Sequence, residues 1–276
     1  MICIYRPHIL WSESSSDMDD SLVRTVAFTI AGYPLNVTRT LAQLGYEPFK
    51  PDQYGNLPNM FSYLSYVRER KGYTMLYAGI SCYLPAVVLK QVTYNLLVTA
   101  TNHKKDTNQS DASEIIAVCL RESALKIHAT IITYPLLTLS IGYITSAFFG
   151  AKETIDYSIQ SLYKGIVPKL ITEVVLIWVS IISRRLTAYL IEDDLSQALV
   201  SRAPPFIVQT LLYPFNVVST VMADNGRSGL NPRFDHWKQC YQYLSMNNQL
   251  KRGSSIFYRC DYQLVARQPF IKRYIY

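Results

Sequence analysis

The amino-acid sequence predicts an all-α membrane protein in which one helical unit is repeated three times. Three observations predict this class: five long apolar stretches, a shortage of charged residues, and a Tyr-Pro pair that recurs three times. Charged residues make up 17% of the 276-residue chain, whereas they form about a quarter of an ordinary soluble protein. The shortage favours a chain that lies largely in lipid.

The five apolar stretches are each close to the length of about 20 residues that a helix needs to cross the hydrocarbon layer. They run over 22–41, 75–98, 127–149, 165–190 and 203–223. A soluble amphipathic helix has a wide charged face, but residues 165–182 carry only Lys169 and Glu173 as charges. We therefore predict five membrane-spanning helices. The alternative is a soluble all-helical protein with a buried central helix.

Two shorter segments, 57–70 and 233–246, predict amphipathic helices that lie on the membrane surface. Their apolar positions recur close to helical spacing: Leu57, Phe61, Leu64 and Val67 in the first, and Phe234, Trp237, Tyr241 and Leu244 in the second. A surface helix on a soluble core has the same pattern. These segments therefore support the membrane prediction without deciding it.

The formal net charge of +7 raises the question of a nucleic-acid partner. The basic residues form no stripe interleaved with aromatics, and they cluster instead at the ends of apolar stretches, as Arg68, Arg70 and Lys71 do. That distribution is typical of contact with anionic lipid headgroups. We expect membrane lipids, and no nucleic acid, as partners.

Motifs of enzymes and metal sites are absent from the sequence. The five cysteines have no C-x-x-C spacing, and no phosphate-binding loop, nucleophile elbow or H-x-x-x-H pair occurs. The four histidines are dispersed, and His128 in the third span is expected to be a packed, hydrogen-bonded residue. We expect a protein that is not an enzyme and that has no cofactor and no metal.

The chain divides into an N-terminal tail, 1–20, and one membrane domain, 21–276. The tail contains Asp17, Asp19 and Asp20 and lacks the features of a cleaved targeting signal, so we expect a flexible segment. Within the domain, the repeats cover about 21–100, 114–191 and 196–276, and the third is incomplete.

The repeats are defined by two motifs that alternate along the chain. The first is the Tyr-Pro pair, at Tyr33-Pro34, Tyr134-Pro135 and Tyr213-Pro214. The second is Leu76-Tyr77-Ala78-Gly79-Ile80 in repeat 1 and Leu162-Tyr163-Lys164-Gly165-Ile166 in repeat 2. We assign Ile256-Phe257-Tyr258-Arg259 as its degenerate copy in repeat 3. A proline within a spanning helix is tolerated and predicts a kink.

This pair of motifs resembles the signature of the mitochondrial carrier family, over roughly residues 20–260. The resemblance implies tilted helices around a central cavity. In carriers the proline is followed by an acid and a base that form ion pairs closing the cavity. Here the acidic positions are Asn36, Leu137 and Asn216, and the basic positions are Arg39, Ser140 and Ser219. Such residues cannot form a ring of ion pairs, so we expect no alternating-access gate.

After Arg259, the remaining residues are too few and too charged to form a sixth span. These departures resemble the mitochondrial carrier homolog branch of the family. Local likenesses are Gly45-Tyr46-Glu47-Pro48, the segment 162–170 leading to Glu173, and 252–259, whereas the Cys82-Tyr83 pair departs from the branch. The expected fold is a carrier-like, three-repeat bundle of five spanning helices, with the sixth missing and short amphipathic surface helices.

The resemblance implies an insertase of the mitochondrial outer membrane for α-helical, notably tail-anchored, proteins. It also implies a receptor or scaffold in apoptosis or lipid metabolism. Two further alternatives are a lipid scramblase, since a lateral groove could pass lipid headgroups, and a degenerate solute carrier. Tail-anchored or other α-helical membrane proteins are then the expected clients. A groove open to the side would let a partly polar client segment pass into lipid.

Four ionisable residues within the spans are the candidate groove residues: Arg39, Lys90, Lys169 and Glu173. Charges at membrane depth are costly unless they face a cavity or a partner. The resemblance implies that Arg39 and Glu173 line the groove. As alternatives, Lys169 and Glu173 are four residues apart and could neutralise each other on one helix face, and Arg39 or Lys90 could reach the headgroups.

Overall fold

The computed structural model describes residues 15–101, 112–150, 157–191 and 193–260, and most of them are helical. The elements in chain order are α1 (Ser15–Leu44), β1 (Asn56–Leu57), α2 (Met60–Lys71), a 3-10 helix (Thr74–Tyr77), α3 (Ile80–Ala100), α4 (Ala112–Phe149), α5 (Ile159–Leu162), α6 (Ile166–Leu190), α7 (Asp194–Val200), α8 (Ala203–Leu211), α9 (Tyr213–Asp224), α10 (Trp237–Met246) and β2 (Arg259–Cys260). The prediction of a helical protein is confirmed.

Three helical segments are long and apolar enough to cross a membrane: Thr74–Ala100, Ile115–Phe149 and Ile159–Leu190. A fourth span results if the bent pair Ser196–Leu211 and Tyr213–Asp224 is counted as one. α1 is 30 residues long but is not among them. The chain is therefore an all-α membrane protein with three or four candidate spans, fewer than the five that we predicted.

Each of the first two repeats consists of a long proline-bearing helix, a glycine turn and a second long helix. Gly79 immediately precedes α3 with φ of 78°, and Gly165 immediately precedes α6 with φ of 84°. Both angles lie in the left-handed region that favours glycine. The second motif of the sequence therefore marks the turn before the second long helix in repeats 1 and 2, α3 and α6.

The three prolines have different effects on their helices. α1 and α4 continue through Pro34 and Pro135 as single helices. In repeat 3 the helix is interrupted at Leu212, and α8 and α9 meet there at an angle of 51°. Pro214 lies in the first turn of α9, where its missing N–H leaves no helical hydrogen bond unmade.

Both predicted surface helices form, as α2 and α10. In α2 the buried residues are Met60, Tyr63 and Val67, whereas Phe61, which we placed on the apolar face, is 46% exposed. In α10 the buried residues are Cys240 and Leu244. α10 packs with partly buried aromatic residues against the core around α9.

Repeat 3 contacts repeat 1 at the end of α1. The side chains of Asn231 and Arg252 both donate hydrogen bonds to the carbonyl of Leu44, the last residue of α1, at 2.7 and 3.2 Å. β1 and β2 pair as a two-residue antiparallel ladder. Arg259 in β2 is buried, forms an ion pair with Glu47 and lies over the ring of Tyr63 at 5.1 Å. Repeats 1 and 3 are thereby tied together.

Two helices carry an exposed apolar stripe. On α8 the exposed residues follow i, i+3, i+4, i+7, i+8 spacing: Ala203, Phe206, Ile207, Thr210 and Leu211. On α1 they follow a similar spacing: Val23, Arg24, Ala27, Phe28, Ile30 and Ala31. Such spacing is typical of a helix face that contacts another helix or lipid, and the described residues leave both faces uncovered.

Candidate functional site

A cluster of ionisable and polar side chains lies where α4 packs between α3 and α6. Lys90 of α3 donates to Oε1 of Glu173 in α6 at 2.6 Å. Thr130 of α4 donates to the other oxygen, Oε2, at 2.5 Å. One carboxylate therefore joins three helices that are distant in sequence. We name the following residues the polar cluster: Lys90, Glu122, Lys126, Thr130, Lys169 and Glu173.

The cluster lies well inside the helices. Lys90 is ten residues beyond the start of α3 at Ile80, and Glu173 is seven residues beyond the start of α6 at Ile166. At 1.5 Å per residue these positions lie about 15 and 10 Å along their helices. The side chains remain 24% and 16% exposed, so the ion pair is not fully enclosed by the protein.

Lys169 does not form the intrahelical ion pair that was the alternative for Glu173. Within the described residues the carboxylate is paired with Lys90, on another helix. Lys169 is half-buried and lies close enough to interact electrostatically with both Lys90 and Glu173. It adds a positive charge beside a pair that is already neutral.

α4 contributes two charged residues that sequence reasoning missed. Glu122 accepts a hydrogen bond from the hydroxyl of Tyr94 in α3 at 2.6 Å. The ammonium of Lys126 lies 4.6 Å from the centre of the Tyr94 ring and interacts electrostatically with Glu173. Their positions, four apart on α4, were a possible signal, but both precede the predicted third span at 127–149. The helix begins earlier, at Ala112.

Arg39 does not join this cluster. Its guanidinium lies over the ring of Tyr213 in α9, 5.0 Å from the ring centre. A cation over an aromatic face is an attractive contact. The structure thus brings together three of the four predicted residues, Lys90, Lys169 and Glu173, and places Arg39 at the contact between repeats 1 and 3.

The arrangement supports binding and guidance of polar groups within a membrane protein. Three lysines and two glutamates are distributed over three helices, with a net charge of about +1 at neutral pH. Ionised side chains each cost on the order of 3 kcal/mol at membrane depth unless they have partners. Within the part of the chain that the structure describes, no group of three or more His, Cys, Asp or Glu residues could hold a metal ion.

The repeated units, the glycine turns and the polar cluster among the helices define a three-repeat helical membrane protein. No protein-family profile matches the chain. It is 26% identical to mitochondrial carrier homolog 1 of Mus musculus over 287 residues, which covers 84% of this chain and 74% of that protein.

Mitochondrial carrier homolog 2 of Homo sapiens is 25% identical over 289 residues, which covers 89% of this chain and 93% of that protein. Mitochondrial carrier homolog 2 of Mus musculus is 23% identical over 273 residues, which covers 84% of this chain and 90% of that protein. The chain is similar to mitochondrial carrier homologs over most of its length, and this similarity confirms the resemblance seen in its motifs.

Proposed function

We propose that this protein is an insertase of the mitochondrial outer membrane that passes α-helical, notably tail-anchored, proteins into the bilayer. The observation that carries the proposal is the polar cluster, which lies within α3, α4 and α6, three helices long and apolar enough to cross a membrane, and whose ion pair remains partly exposed. The uncovered stripes on α1 and α8 support a sideways opening. In this proposal α1 and the α8–α9 pair also span the membrane, which gives five spans.

The groove would lower the barrier that a client meets when its polar residues leave water. An unpaired amide or hydroxyl costs several kcal/mol in an apolar medium, and a charge costs more. Lys90, Lys169 and Glu173 supply partners of both signs along that route. The apolar part of the client meanwhile moves into lipid along the exposed faces. No covalent chemistry and no cofactor are required.

The relatives are named mitochondrial carrier homologs, which supports a mitochondrial membrane location for this chain. The outer-membrane location and the tail-anchored class of client are inferred from the resemblance of the motifs, and both are part of the proposal.

The test uses purified protein in liposomes with a labelled tail-anchored client. We expect insertion to be faster than in empty liposomes. Glu173→Lys should reduce the rate at least tenfold, because it places a fourth lysine beside Lys90, Lys126 and Lys169. Glu69→Lys is the matched control, since Glu69 is exposed on α2. Insertion no faster than in empty liposomes would overturn the proposal.

The exchange variant Lys90→Glu with Glu173→Lys separates two roles of the pair. If the pair only holds α3 against α6, the exchange restores insertion because an ion pair is again possible. If the client recognises the sign of the charge on each helix, insertion stays low. Either result identifies how the cluster acts, provided that the single variant is inactive.

Lipid scrambling is a second candidate, and one observation favours it. Lys169 lies beside a pair that is already neutral, so the cluster keeps a positive excess that suits a phosphate group. The same liposomes, with a fluorescent phospholipid in place of the client, measure this activity. Lys169→Gln is expected to slow lipid movement more than it slows client insertion.

A further inference from the structure

The Tyr-Pro motif of each repeat forms hydrogen bonds to its own glycine turn and to the next repeat. In repeat 1, the hydroxyl of Tyr33 donates to the carbonyl of Ala78 at 2.8 Å. Ser140, from the proline motif of repeat 2, donates to the carbonyl of Gly79 at 3.0 Å and lies 3.3 Å from the Tyr33 hydroxyl. Ser140 is the residue at the position where carriers have a base.

Repeat 2 is joined to repeat 3 in the same way. The hydroxyl of Tyr134 donates to the carbonyl of Lys164 at 2.8 Å. Ser219, again at the basic position, donates to the carbonyl of Gly165 at 2.8 Å and lies 3.3 Å from the Tyr134 hydroxyl. Two repeats thus share one pattern, atom for atom.

The third contact joins repeat 3 back to repeat 1. The hydroxyl of Tyr213 donates to the carbonyl of Arg252 at 2.8 Å and accepts from the side chain of Gln43 at 2.9 Å. Gly253, with φ of 67°, follows Arg252 just as Gly79 follows Ala78. The assignment of Ile256-Phe257-Tyr258-Arg259 as the second motif of repeat 3 was therefore wrong, because Arg252-Gly253 occupies that place.

Close backbone packing accompanies each of the first two contacts. A Cβ atom on Gly79 would lie 2.5 Å from the carbonyl oxygen of Ser140, and one on Gly165 would lie 2.6 Å from that of Ser219. At Gly253 the corresponding carbonyl is that of Arg39, at 3.4 Å. The three tyrosines, both serines and Gln43 are all less than 9% exposed. The contacts are dry and tightly packed.

We infer that these three contacts form a fixed closure at the Tyr-Pro end of the bundle, so that the polar cluster is reached from only one face of the membrane and from the side. We name Tyr33, Ser140, Tyr134, Ser219, Tyr213 and Gln43 the tyrosine closure. α1, α4 and α9 all contact one another, as this ring of contacts requires.

The chemistry of the closure distinguishes it from a gate made of ion pairs. Two separated ions are stabilised by water when a gate opens, so charged gates can alternate between states. Here neutral hydroxyls are bound to backbone carbonyls of the glycine turns. Opening would leave several buried polar groups of the turns and helices without partners at once. The closure therefore favours a single state.

The test measures how a membrane-impermeant, charged maleimide reaches a cysteine just above the closure. The probe variant is Lys169→Cys, four residues beyond Gly165, in a full-length chain whose five native cysteines are replaced by alanine or serine. The protein is placed at one copy per liposome, and liposomes of one orientation are captured through a terminal tag. Reagent is then added outside or enclosed inside.

We expect labelling from one face to be at least tenfold faster than from the other. Similar rates from both faces would overturn the inference, and this arm needs no change in the closure itself. In a second arm, Tyr33→Phe with Ser140→Ala and Ser219→Ala is expected to raise labelling from the slow face at least tenfold. Labelling that stays one-sided in this variant would show that other residues close the bundle.

Ser146→Ala is the matched control, because Ser146 is also on α4 but bonds to the carbonyl of Gly142 in its own helix. If the triple variant does not fold, as judged by thermal unfolding, Ser219→Ala alone replaces it. The measurement is independent of insertion. A protein that inserts no client can still show one-sided labelling, and an active insertase can fail to show it.

Discussion

At the scale of single residues, Glu173 determines how the charges in the membrane are balanced. It accepts hydrogen bonds from Lys90 and Thr130, which lie on different helices, while Lys169 and Lys126 add charge nearby. A buried ion pair often contributes little net stability, but the loss of one partner leaves the other uncompensated. Stability and function can therefore be separated at this pair.

We expect Glu173→Ala to reduce the free energy of unfolding by about 3 kcal/mol, because the Lys90 ammonium loses its partner. The double variant Lys90→Met with Glu173→Leu is expected to unfold close to the wild-type temperature while it still fails to insert a client. Thermal unfolding in detergent and insertion into liposomes measure the two properties. A double variant that inserts normally would contradict the role of the cluster.

A second residue-scale prediction concerns Cys240 in the surface helix α10. Burial raises the pKa of its thiol from 9.0 to about 12. The folded state therefore favours the neutral thiol. The stabilisation is fully present below pH 9 and is lost by about 1.4 kcal/mol per pH unit between pH 9 and 12.

Cys240→Ala should remove this part of the loss of stability at alkaline pH. The measurement is the difference between the wild type and the variant in thermal unfolding from pH 8 to 11. At pH 9 the native Cys240 should also react with a thiol reagent far more slowly than the partly exposed Cys260. Equal rates for the two thiols would mean that α10 opens readily.

Sequence reasoning identified part of the polar cluster for a simple physical reason. Lys90, Lys169 and Glu173 are charges within strongly apolar stretches, so their cost in lipid is visible without a structure. Lys126 and Glu122 were missed because they lie in a mixed segment before the apolar stretch. The partner of Glu173 was equally hidden, because spacing along one helix says nothing about contacts between helices.

At the scale of elements, the ladder between β1 and β2 depends largely on one arginine. Arg259 is 6% exposed, pairs with Glu47, and donates to the carbonyl of Pro58 at 3.2 Å. The two strands are only two residues long. The ladder itself has few hydrogen bonds, so the buried guanidinium is a main attachment of the two strands, whereas the chain around Arg252 is held by its own contacts with Leu44 and Tyr213.

We expect Arg259→Ala to weaken the free energy of unfolding by about 3 kcal/mol, because Glu47 loses its partner and a buried side chain is removed. Hydrogen exchange of the amides in 256–260 should become faster, while that of α4 should change little. Lys251→Ala is the control, since Lys251 is exposed nearby. Unchanged exchange in 256–260 would show that other contacts hold the ladder.

Some helix ends could be predicted from the sequence. The glycines that precede α3 and α6 belong to the second motif, and the predicted fifth span ends one residue before α9 does, where Asn225 adopts a left-handed φ of 52°. α1 and α4 begin well before the predicted spans. The break at Leu212 was not predicted, because all three Tyr-Pro motifs look alike in sequence. The turn at Gly253 was missed because Arg252-Gly253 lacks the aromatic residue that marks the other copies.

At the scale of the whole molecule, the three helices that begin with or contain a Tyr-Pro motif, α1, α4 and α9, converge at the tyrosine closure, and α1 and α8 each leave an apolar face uncovered. Repetition in the sequence predicted the three-part arrangement. It could not predict the number of spans, because α1 has the length of a span but not the apolarity, and α8 and α9 are separated by a bend. The side on which we propose that the bundle opens follows only from which faces are exposed.

The exposed faces make a last prediction about the route of a client. Phe28 is two residues beyond Val26, which lines a shallow apolar groove with Val88 of α3. Phe28 therefore lies about 200° around α1 from Val26 and points away from α3. Phe206 lies on the exposed stripe of α8. A client that leaves through the opening should pass both residues.

We expect a photo-crosslinking amino acid at Phe28 or at Phe206 to capture a tail-anchored client during insertion. The control position is Ile182, which is exposed at 49% and lies nine residues beyond Glu173, about 180° around α6. A crosslinker there faces lipid on the outside of the bundle and should capture little client. Only a route between α1 and α8 brings the client past Phe28 and Phe206 but not past Ile182. Equal capture at all three positions would therefore mean that the client contacts the bundle without a preferred side.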